Sequence, residues 1–262
     1  EAFAIKDSRF VAVGTAAAVR RFAGPSTQTI DAKQMTIVPG FIDTHNHAGG
    51  ATLLYEVLVG NPFEVEFVTI ASIIEKLRAK AQQTPAGFWV EGYFHDDTKL
   101  KDKRPLNRHD LDQVSSEHPV VVQHRGGHTS FYNTKAFELA GITKATPNPA
   151  GGTFDRDANG DLTGRVTDTA RNQMGRAGRR VSFTAEQSAQ RSRDGLAHIS
   201  KQFVRYGLTS VHHSGGDLAA LRDVRARGDL HHRVSYEVAG GTLTQMITDG
   251  VKSGDGDCPA AD

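Results

Sequence analysis

The chain of 262 residues has a single cysteine, Cys258, which excludes an internal disulfide framework and a multi-cysteine zinc site. It also lacks a charge of one dominant sign. Lys plus Arg number 31 against 30 Asp plus Glu, which argues against nucleic acid as the partner. No run approaches the ~18 consecutive apolar residues of a membrane span. A Gly-rich phosphate loop ending in Gly-Lys, a His-Glu-x-x-His pair and a Gly-x-Ser-x-Gly elbow are all missing. Phosphoryl transfer, zincin proteolysis and serine-hydrolase chemistry therefore lack support. There is no internal repeat, no low-complexity linker and no basic-then-apolar leader, so the expected location is cytoplasmic. The chain starts at Glu1 rather than Met and reads as a piece of a longer polypeptide.

What is present is enough apolar sequence, 38%, to bury a core, together with 27 glycines and 12 histidines. Residues 1–37 read as part of a small β module: short strands over Ala2–Gly14 and a further strand pair over Thr29–Val38. Val38–His47 reads as a buried strand by composition. Ile70, Ile73, Ile74, Leu77 and Ala81 have helical spacing. Thr134–Leu139 reads as a short helix stopped by Gly141. Thr184 with Gln187 forms a capping box that opens a long helix ending at Gly207. Leu208–Val211 and Arg233–Val238 are then strands flanking a helix over Asp217–Arg227. This alternation predicts a parallel sheet with helical crossovers.

The sharpest chemical feature is Asp43-Thr44-His45-Asn46-His47. Along a regular strand alternate side chains share a face, so Asp43, His45 and His47 are expected on one side and Thr44 and Asn46 on the other. Two imidazoles so placed can converge on one metal ion, each offering a nitrogen at ~2.0–2.1 Å from zinc. On spacing alone, two solvated histidines at a strand end are an equal alternative.

Val38-Pro39-Gly40-Phe41-Ile42-Asp43-Thr44-His45-Asn46-His47 resembles the segment that opens the barrel of the amidohydrolase superfamily. Further segments resemble its amidohydrolase 3, or YtcJ-like, branch, which includes N-substituted formamide deformylases. They are Arg108-His109-Asp110-Leu111-Asp112, Pro119 through Val122, Gly127-His128 with Asn133, Gly151-Gly152 through Gly164, and Gly207 through His212. The resemblance implies an α/β fold, a (β/α)8 TIM barrel of which this chain holds only the N-terminal part, with an incomplete small β-sandwich. It implies a sandwich portion over 1–37 and barrel over 38–262, with an insertion at about 61–183. It implies a hydrolase of carbon–nitrogen bonds other than peptide bonds, acting on a small-molecule substrate through a metal-activated water. His45 and His47 would ligate a divalent metal, zinc by expectation, with Asp43 supporting a ligating imidazole. The family's bridging Lys, two further His and general-base Asp are expected beyond residue 262, since by resemblance the chain stops near Gly250–Asp257.

The resemblance also makes His128, His212 and Asp168 candidates for substrate binding. His212 and His213 are adjacent and must face opposite ways, so at most one points into a barrel. Asp155 through Asp161 fits the first positions of a calcium loop, but position twelve would be Val166 rather than Glu. A hairpin around Asn159-Gly160 is the expected reading. The basic clusters Lys99–Arg104 and Arg171–Arg180 are expected to be solvated loops. The rival expectations for the chain are an inactive barrel fragment and a loose metal- or calcium-binding module. An open half-barrel exposes edges and apolar faces, so self-association into a homo-oligomer is also expected.

Overall fold

The computed structural model describes residues 1–238 and 240–250; Cys258 lies outside them. The chain divides into two compact units, Glu1–Gly40 and Phe41–Asp262.

In the first unit, β1 (Ala2–Lys6) and β2 (Arg9–Gly14) pair antiparallel. Asp7 and Ser8 between them both have positive φ, the backbone of a tight two-residue hairpin turn. A short helix, α1 (Ala16–Arg20), follows, capped by the Thr15 hydroxyl. The strand pair expected over Thr29–Val38 does not form. The Asp31 carboxylate accepts from the Lys33 N–H, and Lys33 and Gln34 take positive φ. That local turn breaks the extended run, and Ile30, Met35 and Ile37 stay exposed.

The elements of the second unit, in chain order, are β3 (Phe41–Asn46), α2 (Ala51–Tyr55), β4 (Val57–Leu58), α3 (Ile70–Ala81), β5 (Val90–His95) and α4 (Arg108–Asp112). Then come β6 (Val120–His124), β7 (Thr129–Tyr132), α5 (Thr134–Ala140), β8 (Phe154–Arg156), β9 (Leu162–Thr167) and α6 (Ala170–Met174). The unit ends with α7 (Ala185–Arg205), β10 (Leu208–Ser214), α8 (Leu218–Ala226), β11 (Arg233–Glu237) and α9 (Gly240–Thr248). Two sheets result. One is three-stranded and wholly parallel, in the order β11-β10-β3. The other is six-stranded and mixed, in the order β4-β5-β6-β7-β9-β8, and lies in the chain between β3 and β10.

The helices begin where their caps dictate. Thr69 and Ser72 cap α3 reciprocally, and the five apolar residues at helical spacing are all buried. Thr184 and Gln187 do the same for α7, and Gly207 leaves it at φ +82°. Gly141 ends α5 in the left-handed region.

The six-stranded sheet is covered on both faces. Val120 and Val122 pack with Ile73, Leu77 and Leu111 on one side. Val121 and Tyr132 pack with Phe137, Phe154 and Met174 on the other. Each such side chain contributes roughly 1.5–3 kcal/mol by leaving water. Asn133 is fully buried at the N-terminus of α5. It accepts from the Val120 and Ala136 N–H groups and donates to the His118 carbonyl, so this motif residue is structural.

The three-stranded sheet is covered on one face only. Val211 packs under Ile199 and Phe203 of α7, and Leu196 of α7 meets Leu221 and Val224 of α8. The strand expected to be buried over Val38–His47 is shorter and open: Phe41 is 60% and Ile42 70% exposed. β3 is an edge of this sheet, and neither Phe41 nor Ile42 belongs to the apolar clusters that α7 and α8 form with it.

One contact fixes the segment that leaves β3. Gly50 and Gly195 meet backbone to backbone, such that a Cβ on Gly195 would lie 2.2 Å from the Ala51 nitrogen. Arg191 reinforces the crossing. Its guanidinium pairs with Glu56 at 2.6 Å and lies over the rings of Tyr55 and Phe183.

Candidate functional site

The parallel sheet ends in a cluster of polar side chains. The C-terminal ends of β3, β10 and β11 bring His45, His212, Ser214 and Glu237 to one rim, with His47 just past β3. The His45 and His47 rings stand edge to face with centroids 4.9 Å apart. His47 Nδ1 lies 3.0 Å from the Ser214 carbonyl oxygen. A carbonyl can only accept, so Nδ1 carries the proton and Nε2 keeps its lone pair. That is the tautomer a metal-binding imidazole needs, and the donor pair fits a divalent metal.

Regular alternation does not survive at this end. Val211 pairs with Asp43 and His213 with Asn46, so β3 carries one extra residue between them. Asp43 accordingly reaches Asn46, accepting its Nδ2 at 2.8 Å, and accepts the His45 N–H at 3.1 Å. The expectation that Asp43 and Asn46 face apart is thus corrected by the bulge. Asp43 buttresses the backbone that carries His45; among the described residues it bonds to neither imidazole.

His212 and His213 do face opposite ways. His212 lies on the open face, 3.1 Å from Ser235 Oγ and 3.6 Å from Glu237 Oε2. The Ser214 hydroxyl, with His212 and His45 adding to it, holds the Glu237 carboxyl below its ordinary pKa. Glu237 was not singled out in the sequence; only its place at a strand end marks it. His213 is buried on the helix-covered face, with Nε2 at 3.1 Å from Nε2 of His232. His232 in turn meets Ser200 Oγ at 2.9 Å. Burial, with His213 beside it, lowers the His232 pKa to about 4.

A second group able to hold a divalent metal lies on the six-stranded sheet: Asp96, Asp97 and His124 bring their ligand atoms within 4.8 Å of one another. His124 Nε2 is 3.0 Å from Asp97 Oδ1, and the Gly126 N–H donates to Nδ1, so Nε2 carries the proton shared with Asp97. Asp96 is engaged by Arg125 at 2.8 Å and by both the N–H and hydroxyl of Thr98. Burial raises the Asp96 pKa, but these bonds outweigh it and hold it down at about 2. A cation here would have to displace the Arg125 bond, so the donors of the His45/His47 pair are the freer set. His95 stands behind His124, 1% exposed, with both ring nitrogens unpartnered. Burial drives its pKa down to about 4.

The remaining candidates meet each other. His128 Nδ1 lies 2.8 Å from Asp168 Oδ1, and Asp168 holds φ +44°, a left-handed backbone for a non-glycine residue. The pair is exposed and sits on the six-stranded sheet's side of the unit. The hairpin expected around Asn159-Gly160 forms from β8 and β9, with Asp157 accepting from the Asn159 and Asp161 N–H groups. The basic residues at 171–180 are not all solvated: Arg180 pairs with Glu91 at 2.6 Å, and the Nε of Arg171 is buried. No helix of the described residues is long and apolar enough to cross a membrane.

Comparison with known proteins agrees with the motif reading. An N-substituted formamide deformylase of Arthrobacter pascens is 30% identical over 212 residues, covering 80% of this chain and 38% of that protein. The putative amidohydrolase YtcJ of Bacillus subtilis is 28% identical over 156 residues, covering 57% of this chain and 28% of that protein. The chain therefore spans well under half the length of either relative. The crystal structure of an uncharacterized metal-dependent hydrolase from Pyrococcus horikoshii superposes with a TM-score of 0.44 at 19% identity, over 81% of this chain and 39% of that one. Residues 28–258 match the model of the amidohydrolase family (Amidohydro_3), and the chain belongs to that family.

Proposed function

We propose that the chain carries the first three strands of a metal-dependent hydrolase that cleaves carbon–nitrogen bonds other than peptide bonds. His45 and His47 are its metal ligands, and zinc is the metal. The observation that carries this reading is the His47–Ser214 bond, which commits the Nδ1 proton to a backbone carbonyl and leaves Nε2 free beside the His45 ring. A divalent cation supplies Lewis acidity when bound, polarising an amide carbonyl and lowering the pKa of water towards ~7.

The chain's own groups prepare for that chemistry. Asp43 clamps the bulge that sets the His45 backbone. Glu237, whose pKa Ser214, His212 and His45 lower, presents an acceptor on the same rim. It can receive the N–H of an amide substrate. His212, with Ser235 on one nitrogen, lines that acceptor. The rim lies at the C-terminal ends of parallel strands, where barrel enzymes hold their chemistry. The similar deformylase supports a small N-substituted amide as substrate.

Metal titration tests the reading. The chain, stripped with a chelator and titrated with zinc or cobalt, is expected to bind stoichiometrically. His45→Asn and His47→Asn should each weaken that binding by on the order of 100-fold while leaving the circular dichroism unchanged. Equal metal affinity in both variants would refute the ligand assignment. Metal binding by the full-length protein without release of amine from any N-substituted formamide would refute the reaction.

A further inference from the structure

A cavity of about 410 Å³ lies on the face of the six-stranded sheet where Gln123, Ser130 and Tyr132 point towards α6. Three side chains that line it hold polar atoms that are buried and have no partner: Trp89 Nε1, Ser130 Oγ and Arg171 Nε. Buried polar atoms in folded proteins are almost always paired, so three orphans around one cavity call for a common explanation. Trp89 Nε1 and Arg171 Nε are donors only, and Ser130 Oγ–H can be one. What satisfies them must be an acceptor.

The charges around the cavity narrow the class. Arg180 is matched, since it pairs with Glu91. Glu91 is also taken up by the Tyr93 hydroxyl at 2.7 Å and by Gln123 at 3.3 Å. Asp168, also in the lining, is bonded to His128 at the rim. Arg171 bonds the Gly127 carbonyl, and among the described residues no carboxylate pairs with it. Arg171 is thus a guanidinium in direct contact with no carboxylate among the described residues, beside a set of donors, which suits an acceptor carrying no more than one negative charge. The rest of the lining is apolar. The Trp89 and Tyr132 rings meet at 5.9 Å, and Val121 and Met174 complete the wall.

We propose that this cavity binds a small organic carboxylate, with its oxygens on Arg171 and Ser130 and its apolar body against Trp89 and Tyr132. The site is separate from the His45/His47 pair, and the proposal stands or falls without that reading. Dibasic phosphate fits it less well, because it brings a second charge that no remaining cation offsets.

Trp89 is the only tryptophan of the chain, so intrinsic fluorescence reports directly on this cavity. Benzoate titrated into the chain at constant ionic strength is expected to change that fluorescence saturably. Ser130→Ala and Arg171→Gln should each weaken the apparent affinity by about tenfold or more, as loss of a hydrogen bond to a charged group does. Inorganic phosphate should give no saturable change. Absence of a saturable response of the folded wild-type chain to benzoate up to tens of millimolar would overturn the proposal. So would benzoate binding that neither variant weakens, or phosphate binding tighter than benzoate.

Discussion

The six-stranded sheet is enclosed and the three-stranded sheet is half bare, and this difference separates what each does. In the enclosed sheet Val90, Val120 and Val122 are fully buried, and its buried polar side chains are bonded or line a cavity except His95, which is neither. In the half-bare sheet Val211 and His213 of β10 are sealed on the helix-covered face, while His45, His212, Ser235 and Glu237 stand on the open side. One sheet provides stability and the other displays reactive groups on a stiff mount.

Mutations should expose that division. The largest effect is expected in the enclosed sheet: Leu77→Ala, at a fully buried site, should cost about 2–5 kcal/mol in chemical denaturation. A cost under about 1 kcal/mol would show that α3 is not the anchor described.

Acid should come next. The folded His95 has its pKa lowered to about 4 by burial, while the unfolded chain protonates near 6.5. Above that unfolded value the neutral ring costs nothing. As pH falls from ~6.5 to ~4 the unfolded state takes up a proton that the fold refuses, so stability drops by about 1.4 kcal/mol per pH unit for each such histidine. His232, on the covered side of the other sheet, adds to the slope. His95→Leu should flatten the dependence by one proton's worth. A pH profile of stability identical to wild type would contradict the burial assigned to His95.

Gly195→Ala should cost about 1–3 kcal/mol, because the added carbon meets the backbone of Ala51 rather than a yielding side chain. If the melting temperature does not move, α2 and α7 do not cross as described. Smallest of all, Ile42→Ser on the open face should change stability by no more than about 0.5 kcal/mol. A loss as large as that of Leu77→Ala would mean the face is covered after all.

Local signals carried most of the reading from sequence. The apolar spacing of Ile70–Ala81, the cap at Thr184 and the stops at Gly141 and Gly207 are each settled within a few residues, and the helices follow them. Pairing between distant strands left little trace. Nothing in Thr129–Tyr132 or Leu162–Thr167 states that they adjoin antiparallel, because that choice depends on what covers each face. The apolar residues of Thr29–Val38 looked like a strand pair, but the turn at Asp31 outweighed them. At the site, the His45/His47 spacing was visible, while the partner of His47 was not: a backbone carbonyl has no letter of its own. The extra residue in β3 was hidden for the same reason, since a bulge is a property of two strands together. Trp89, Ser130 and Arg171 are far apart along the chain and share no motif.

Ser214 serves two neighbours through different atoms, its carbonyl meeting His47 and its hydroxyl Glu237. The proton inventory of the imidazole is therefore insensitive to which side chain occupies position 214, while the acidity of the carboxylate is not. Variation at that one residue can retune the carboxylate and leave the bond to the imidazole in place, a separation that two side chains bonded directly to each other could not offer.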